Sequence, residues 1–204
     1  LRARFRAPPL WEPELRREPR FAERALARAA VLVPLMQRPG GVSVLLTERS
    51  AGLPTHAGQV AFPGGKVDAS DAGIVEAALR EAREEVGLRQ DFVDVLGQLP
   101  IYVTGSQFSI TPVVGLVRPE FVPHPNAGEV AQAFEVPLAF LMDPAHHRRH
   151  RLEWDGRMRE WYSMPYVDPA RAGDTTGHVP AGAEHFIWGA TAGMLRNLYR
   201  FLLA

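Results

Sequence analysis

Residues 30–35 and 42–46 are two short apolar runs separated by Arg38-Pro39-Gly40-Gly41, and no other feature constrains the fold of this chain so strongly. Apolar runs of this length around a Pro-Gly-Gly turn read as two buried strands of one sheet. Residues 59–62 read as a further short strand, stopped by Pro63-Gly64-Gly65, and residues 66–71 as a polar loop. From Gly73 the period changes. Ile74, Ala78, Leu79, Ala82 and Val86 form one apolar stripe at helical spacing, and Gly87 stands where a helix C-terminus favours glycine. Strand-like segments follow at 93–103, 110–117 and 129–136, the last ended by Pro137, after which Leu138, Phe140 and Leu141 suit a short helix. Residues 146–166 alternate as a hairpin turning at Asp155-Gly156, residues 169–180 read as a loop, and residues 184–203 as a terminal helix. One mixed α/β domain fits this order best.

Composition removes several classes of function. The 204 residues contain no cysteine, which excludes a disulfide scaffold, a thiolate zinc site, an iron–sulfur cluster and a cysteine nucleophile. A formal net charge of zero argues against a sequence-independent nucleic-acid binder, whose affinity comes from excess Lys and Arg. No apolar run approaches the ~18 residues of a spanning helix, so no membrane partner is expected. Residues 1–28 are rich in arginine, but Glu12, Glu14, Glu18 and Glu23 lie among the arginines, unlike an acid-poor transit peptide. They are read as an arm and helix packed on a domain spanning 29–204. The zero balance also conceals separated charge: residues 68–94 carry eight acids against three arginines, and residues 148–159 five arginines against two acids.

The chemistry concentrates in residues 64–88. Glu81, Glu84 and Glu85 stand at i, i+3 and i+4, on neighbouring positions of one helix side, with the apolar stripe opposite. Like charges so placed repel one another, and a hard divalent cation, Mg²⁺ or Mn²⁺, is the natural partner of clustered carboxylate oxygens. Taken alone, an acidic helix face is a solvated face. Here a strand delivers the chain to Gly64-Gly65, whose missing side chains let backbone groups approach a ligand closely.

At these residues the sequence resembles the Nudix hydrolases, whose box runs Gly, five residues, Glu, seven residues, Arg-Glu-apolar-x-Glu-Glu-x-Gly-apolar. Gly65, Arg80, Glu81, Ala82, Glu84, Glu85, Gly87 and Leu88 match it. Asp71 stands where the box has Glu, with eight residues rather than seven before Arg80. Upstream, Leu45-Leu46-Thr47-Glu48-Arg49-Ser50, then His56, Gly58, Gln59 and Phe62-Pro63-Gly64-Gly65, resemble the accessory signature of the coenzyme A pyrophosphatase subfamily, with Pro54 where that signature usually has Arg.

The resemblance implies an α/β/α sandwich with a mixed sheet, and Mg²⁺- or Mn²⁺-dependent hydrolysis of coenzyme A to 3′,5′-ADP and 4′-phosphopantetheine in the cytoplasm. It implies cation ligands at Glu81, Glu84, Glu85 and the Gly64 carbonyl. Arg49, Ser50, His56, Gln59 and Lys66 would contact substrate, and Asp71, Arg80, Gly65 and Gly87 would brace the site. Glu129 is the candidate general base and Glu135 the second choice. The run from His146 to Arg151 is a candidate for the 3′-phosphate, and Trp154, Trp161 and Tyr162 for adenine; a solvated strand and a core or dimer face are the plainer readings. A second copy of the chain is a candidate partner. Two other functions compete: a Nudix hydrolase acting on ADP-ribose, NADH or a nucleotide sugar, and a non-catalytic nucleotide-sensing module.

Overall fold

In the computed structural model, which describes residues 1–14, 17–18, 25–154, 156–168 and 184–204, the first long strand organises everything else. Strand β1 (Ala27–Arg38) turns through Pro39-Gly40 into β2 (Gly41–Arg49), and the two pair antiparallel from Leu35↔Val44 to Arg38↔Gly41. On its other edge β1 runs parallel to β7 (Phe108–Val117), from Ala27↔Phe108 to Met36↔Val117. The sheet is therefore mixed. Around these strands lie β3 (Val60–Ala61) and β8 (Val130–Pro137) on β2, and β5 (Val93–Gln98) and β6 (Tyr102–Val103) on β7.

Eight consecutive residues of β1 are buried because both faces of the strand are covered. Ala30, Leu32 and Met36 pack in one cluster with Ala77, Ala78, Ala82 and Val86 of helix α2 (Ile74–Val86). Val31, Val33 and Leu35 pack in a second cluster with Met194, Leu195, Leu198 and Phe201 of helix α4 (Gly189–Leu203). A three-stranded sheet of β9 (Arg148–Trp154), β10 (Arg157–Val167) and β11 (Glu184–Trp188) lies beside α4 and gives Tyr162, Met164, Tyr166 and Ile187 to that cluster. The result is an α/β/α sandwich. A short helix α1 (Arg2–Arg6) sets Phe5 on Phe201, with ring centroids 4.7 Å apart, and Trp11 packs on the same ring.

The structure corrects several expectations. The terminal helix begins at Gly189, and residues 184–188 form β11 instead, with His185 and Ile187 inward and Phe186 and Trp188 outward. Gly64-Gly65 does not end the strand region but opens a three-residue strand, β4 (Gly64–Lys66), on β1. The expected strand at 93–103 is two strands, divided around Pro100, which has no N–H for the ladder. The hairpin of β9 and β10 is present; its expected turn residue Asp155 and the loop at 169–180 lie outside the described residues. Helix α3 (Leu138–Leu141) follows Pro137 directly.

Candidate active site

Helix α2 does not present its acids and its apolar stripe on opposite sides, because the acids fan from core to solvent. Glu85 is buried at 3% exposure beside Ala82 and Val86, Glu81 is half-buried, and Glu84 is exposed. The Gly64 N–H donates to Glu85 Oε2 at 3.3 Å, and Arg49 Nη1 lies 3.7 Å from Oε1. Burial is the dominant influence and pushes the Glu85 carboxyl up to about 7 against the opposing pull of Arg49, with the charges of Glu81 and Glu129 adding to the rise. Burial likewise raises Glu81, with Glu84 and Glu129 adding to it and Arg80 opposing.

The approach of α2 to β4 depends on glycine. A Cβ on Gly65 would lie 2.5 Å from Glu81 Oε1, and one on Gly64 would lie 2.5 Å from the Ala30 carbonyl oxygen. A side chain at Gly65 would displace the Glu81 carboxylate from β4, and one at Gly64 would push β4 off β1. Gly87 ends α2 in the left-handed conformation (φ 71°), its N–H bonding back to the last turn.

Arg80 uses all five of its N–H donors. Nε and Nη2 take the two oxygens of Asp71 at 2.9 and 3.1 Å, Nη1 reaches Glu81 and Glu84 at 3.0 Å each, and Nη2 also reaches the Lys66 carbonyl at 3.1 Å. The Asp71 side chain is 2% exposed, and its hydrogen bonds to Arg80 hold its carboxyl below the usual carboxylate range. This fork spans the loop between β4 and α2, so the aspartate and the additional loop residue still close onto the arginine.

The substrate candidates divide. Arg49, His56, Gln59, Gly64, Gly65 and Lys66 all line one cavity of about 480 Å³. His56 donates to Gln59 Oε1 at 3.0 Å, and Lys66 Nζ stands 6.0 Å from the centre of the Phe108 ring. Ser50 is absent from that lining: its hydroxyl donates to the Ala127 carbonyl, and its N–H to that of Glu129. These two bonds tie the end of β2 to the turn that carries Glu129, the acid whose charge reaches Glu81 and Glu85. Glu135 is engaged elsewhere, by Arg38 Nε at 3.1 Å and Nη2 at 2.6 Å and by the Ser43 hydroxyl.

The basic run is largely occupied. Arg149 and Arg151 pair with Glu160, His147 donates to the Leu141 carbonyl at 2.8 Å and accepts from Arg196, and His150 shares a hydrogen bond with Ser163. Trp161 lies parallel to the His150 ring, and the Tyr162 hydroxyl donates to Glu14; the Trp154 side chain lies outside the described residues. Sequence reasoning missed Glu18, Trp188, Ala190 and Met194 as walls of the cavity. An acid in an arginine-rich arm carries no signal of that kind, and the segment around Trp188 pointed only to a helix start.

Among the described residues, no three acidic or histidine side chains converge as a finished cation cage. The donor set nonetheless suits a hard divalent cation: three carboxylates of graded burial, two of them now held by Arg80, beside a glycine backbone. The buried Arg49 Nε has no hydrogen-bond partner among the described residues, as expected of a group that awaits an anionic oxygen. No helix of the described residues is long and apolar enough to cross a membrane.

The model of the NUDIX domain family matches residues 26–163. The chain is 41% identical over 179 residues to a protein described as uncharacterized Nudix hydrolase NudL from Cronobacter sakazakii, covering 84% of this chain and 80% of that one. It is 40% identical over 192 residues to the protein of the same description from Shigella flexneri serotype 5b, covering 93% and 88%. Among solved structures, RenU, a Nudix hydrolase from M. smegmatis, is similar at 26% identity, with a TM-score of 0.48 over 57% of this chain and 74% of that one. By the family model and by the two relatives described as NudL, the chain belongs to the Nudix hydrolases, which generally use divalent metal cations.

Proposed function

We propose that this protein hydrolyses the pyrophosphate of coenzyme A, with Mg²⁺ or Mn²⁺, to 3′,5′-ADP and 4′-phosphopantetheine. The observation that carries the reading is one cavity that gathers Arg49, His56, Gln59, Phe62, Gly64 and Gly65 of the coenzyme A signature, with Lys66 beside them, at the strand that touches Glu81 and Glu85. In this reading residues 29–204 are one catalytic unit of a cytoplasmic enzyme, and the described residues among 1–28 pack on it.

A pyrophosphate diester is kinetically inert because its anionic oxygens repel a nucleophile. Glu81, Glu84, Glu85 and the Gly64 carbonyl would hold the cation, whose chemistry is to neutralise the phosphate oxygens and to acidify a bound water. Glu129 accepts the proton of the attacking water. As the new oxygen–phosphorus bond forms, the bridging phosphorus–oxygen bond breaks, and each product keeps one of the two phosphoryl groups. Arg49 and Lys66 set positive charge beside the anhydride, and His56 and Gln59 offer polar contacts at the cavity rim. Arg80 and Asp71 keep the loop between β4 and α2 closed, and the left-handed Gly87 ends α2 so that its last turn keeps Glu85 against Gly64.

The test is a substrate panel of coenzyme A, ADP-ribose, NADH and a nucleotide sugar, each with Mg²⁺ or Mn²⁺. The expected result is the highest kcat/KM on coenzyme A and loss of turnover on chelation. Cleavage of ADP-ribose far more efficiently than coenzyme A would overturn the substrate, and full turnover by Glu85→Gln would overturn the site.

A further inference from the structure

The cavity beside the box is built from two parts of the chain. One wall belongs to the matched domain, where Val31, Phe62, Phe108 and Ile110 face inward. The other wall lies outside it: Trp188, Ala190 and Met194 come from the junction of β11 and α4, and Glu18 from the arm. This second wall is fixed to β3, because the buried Thr191 hydroxyl donates to the Val60 carbonyl at 3.0 Å, two residues before Phe62. Glu18 is fixed as well. The Tyr102 hydroxyl donates to one of its oxygens at 3.0 Å and the Gly105 N–H to the other at 2.8 Å.

The charged side chains of the lining are few. Arg49 and Lys66 line the cavity with Gly64 and Gly65, its carboxylate is Glu18, and the remaining lining is mostly apolar. A volume of about 480 Å³ falls in the range of small-molecule pockets, roughly 300–1,000 Å³. An anhydride held by Arg49 and Lys66 puts one of its two substituents among the remaining lining. The phosphorylated nucleoside would carry a second phosphate among apolar walls and the carboxylate of Glu18, which is costly without a further paired cation. An uncharged chain of methyl, methylene and amide groups meets no such cost, and Thr104 and Ser106 in the lining offer hydroxyls to its amides.

On the reading of the substrate above, we infer that this cavity receives the uncharged amide-bearing arm of the substrate and excludes the phosphorylated nucleoside, with Trp188, Ala190 and Met194 as specificity-determining residues. Selectivity among nucleoside diphosphate derivatives then resides in the C-terminal junction, outside the matched residues 26–163.

The experiment compares coenzyme A with 3′-phosphoadenosine 5′-diphosphate methyl ester, which keeps the nucleotide and the anhydride but has no arm. Trp188→Ala removes a wall residue that is 40% exposed, so folding is little affected, and Ala190→Leu fills the cavity from the same wall. Both are expected to lower the ratio of kcat/KM on coenzyme A to that on the methyl ester by tenfold or more. Calorimetric titration with pantetheine alone, which has no phosphate, is expected to show binding to the unaltered protein and at least tenfold weaker binding to both variants. An unchanged ratio in both variants overturns the inference, as does loss of adenosine 3′,5′-bisphosphate binding with pantetheine binding retained. If the unaltered protein leaves coenzyme A intact, the substrate assignment fails by itself, and the pantetheine titration still decides what the cavity accepts.

Discussion

Arg49 Nη1 lies 3.7 Å from Glu85 Oε1 while the Gly64 N–H donates to the other oxygen, so a nearly inaccessible carboxylate is held between one cation and one amide. That is thin support for a buried charge. Glu85→Gln is therefore expected to stabilise the cation-free protein by about 1–2 kcal/mol while lowering turnover at least 100-fold. Arg49→Ala, which leaves the carboxylate with less compensation, is expected to destabilise by about 1–3 kcal/mol. Urea midpoints measured with chelator present, alongside kcat, check both; a Glu85→Gln protein that is less stable than the parent would contradict the account.

Gly65→Ala places a methyl group where the Glu81 carboxylate now sits, 2.5 Å away. The helix interior has no need to rearrange, since the carboxylate itself can swing aside. The expectation is a 100-fold or larger loss of kcat with a stability cost of about 1–3 kcal/mol, measured by steady-state kinetics and thermal denaturation. Retained activity would show that Glu81 need not lie against β4.

Glu129 and Glu135 sit near opposite ends of β8, and only Glu129 faces the acids of α2. Glu129→Gln is expected to lower kcat by about 10²–10⁴-fold with little change in KM. Glu135→Gln alters a carboxylate that hydrogen-bonds Arg38 and Ser43, and should keep activity within about twofold. The opposite pattern would move the proton acceptor to the other end of the strand.

Burial pushes the Glu135 carboxyl up, but hydrogen bonds from Arg38 and Ser43 more than offset it, and the group sits below the usual carboxylate range. A carboxylate whose folded pKa is depressed adds stability above its unfolded pKa of about 4.3, and loses it as pH falls through the folded value. Glu135→Gln should thus cost about 1 kcal/mol at pH 7, and the difference should close below about pH 4. Denaturant midpoints across pH 3–8 measure this; a gap that persists at pH 3 would mean that the pair contributes through packing.

Much of this molecule is written in local pattern. The apolar runs of β1 and β2 and the stripe of α2 are legible because period and turn residues agree with the tertiary role. Strand β11 is not legible: in Glu184-His185-Phe186-Ile187-Trp188 the buried partners are His185 and Ile187, while the aromatic residues face outward, so hydrophobicity misidentifies the inner face. The acidic triplet points to cation chemistry, but the burial of Glu85 follows from how deeply α2 seats on β1 and β4, which no spacing encodes. The cavity is less legible still, because Glu18 and Trp188 are 170 positions apart and meet only once the chain has folded.

The parallel pairing of β1 with β7 also dictates an order of assembly. Ala27 finds its partner in Phe108, so 81 positions of chain must be made before the central strand acquires its parallel neighbour. Helix α4, which covers the other face of β1, comes later again. During synthesis the most apolar strand therefore waits, shielded at first by its β2 hairpin and then by α2. Loop closure over such a separation is slow relative to local pairing, and exposed strand edges are then open to association between nascent chains. Refolding yield should accordingly depend on protein concentration more steeply than the modest size of the chain suggests.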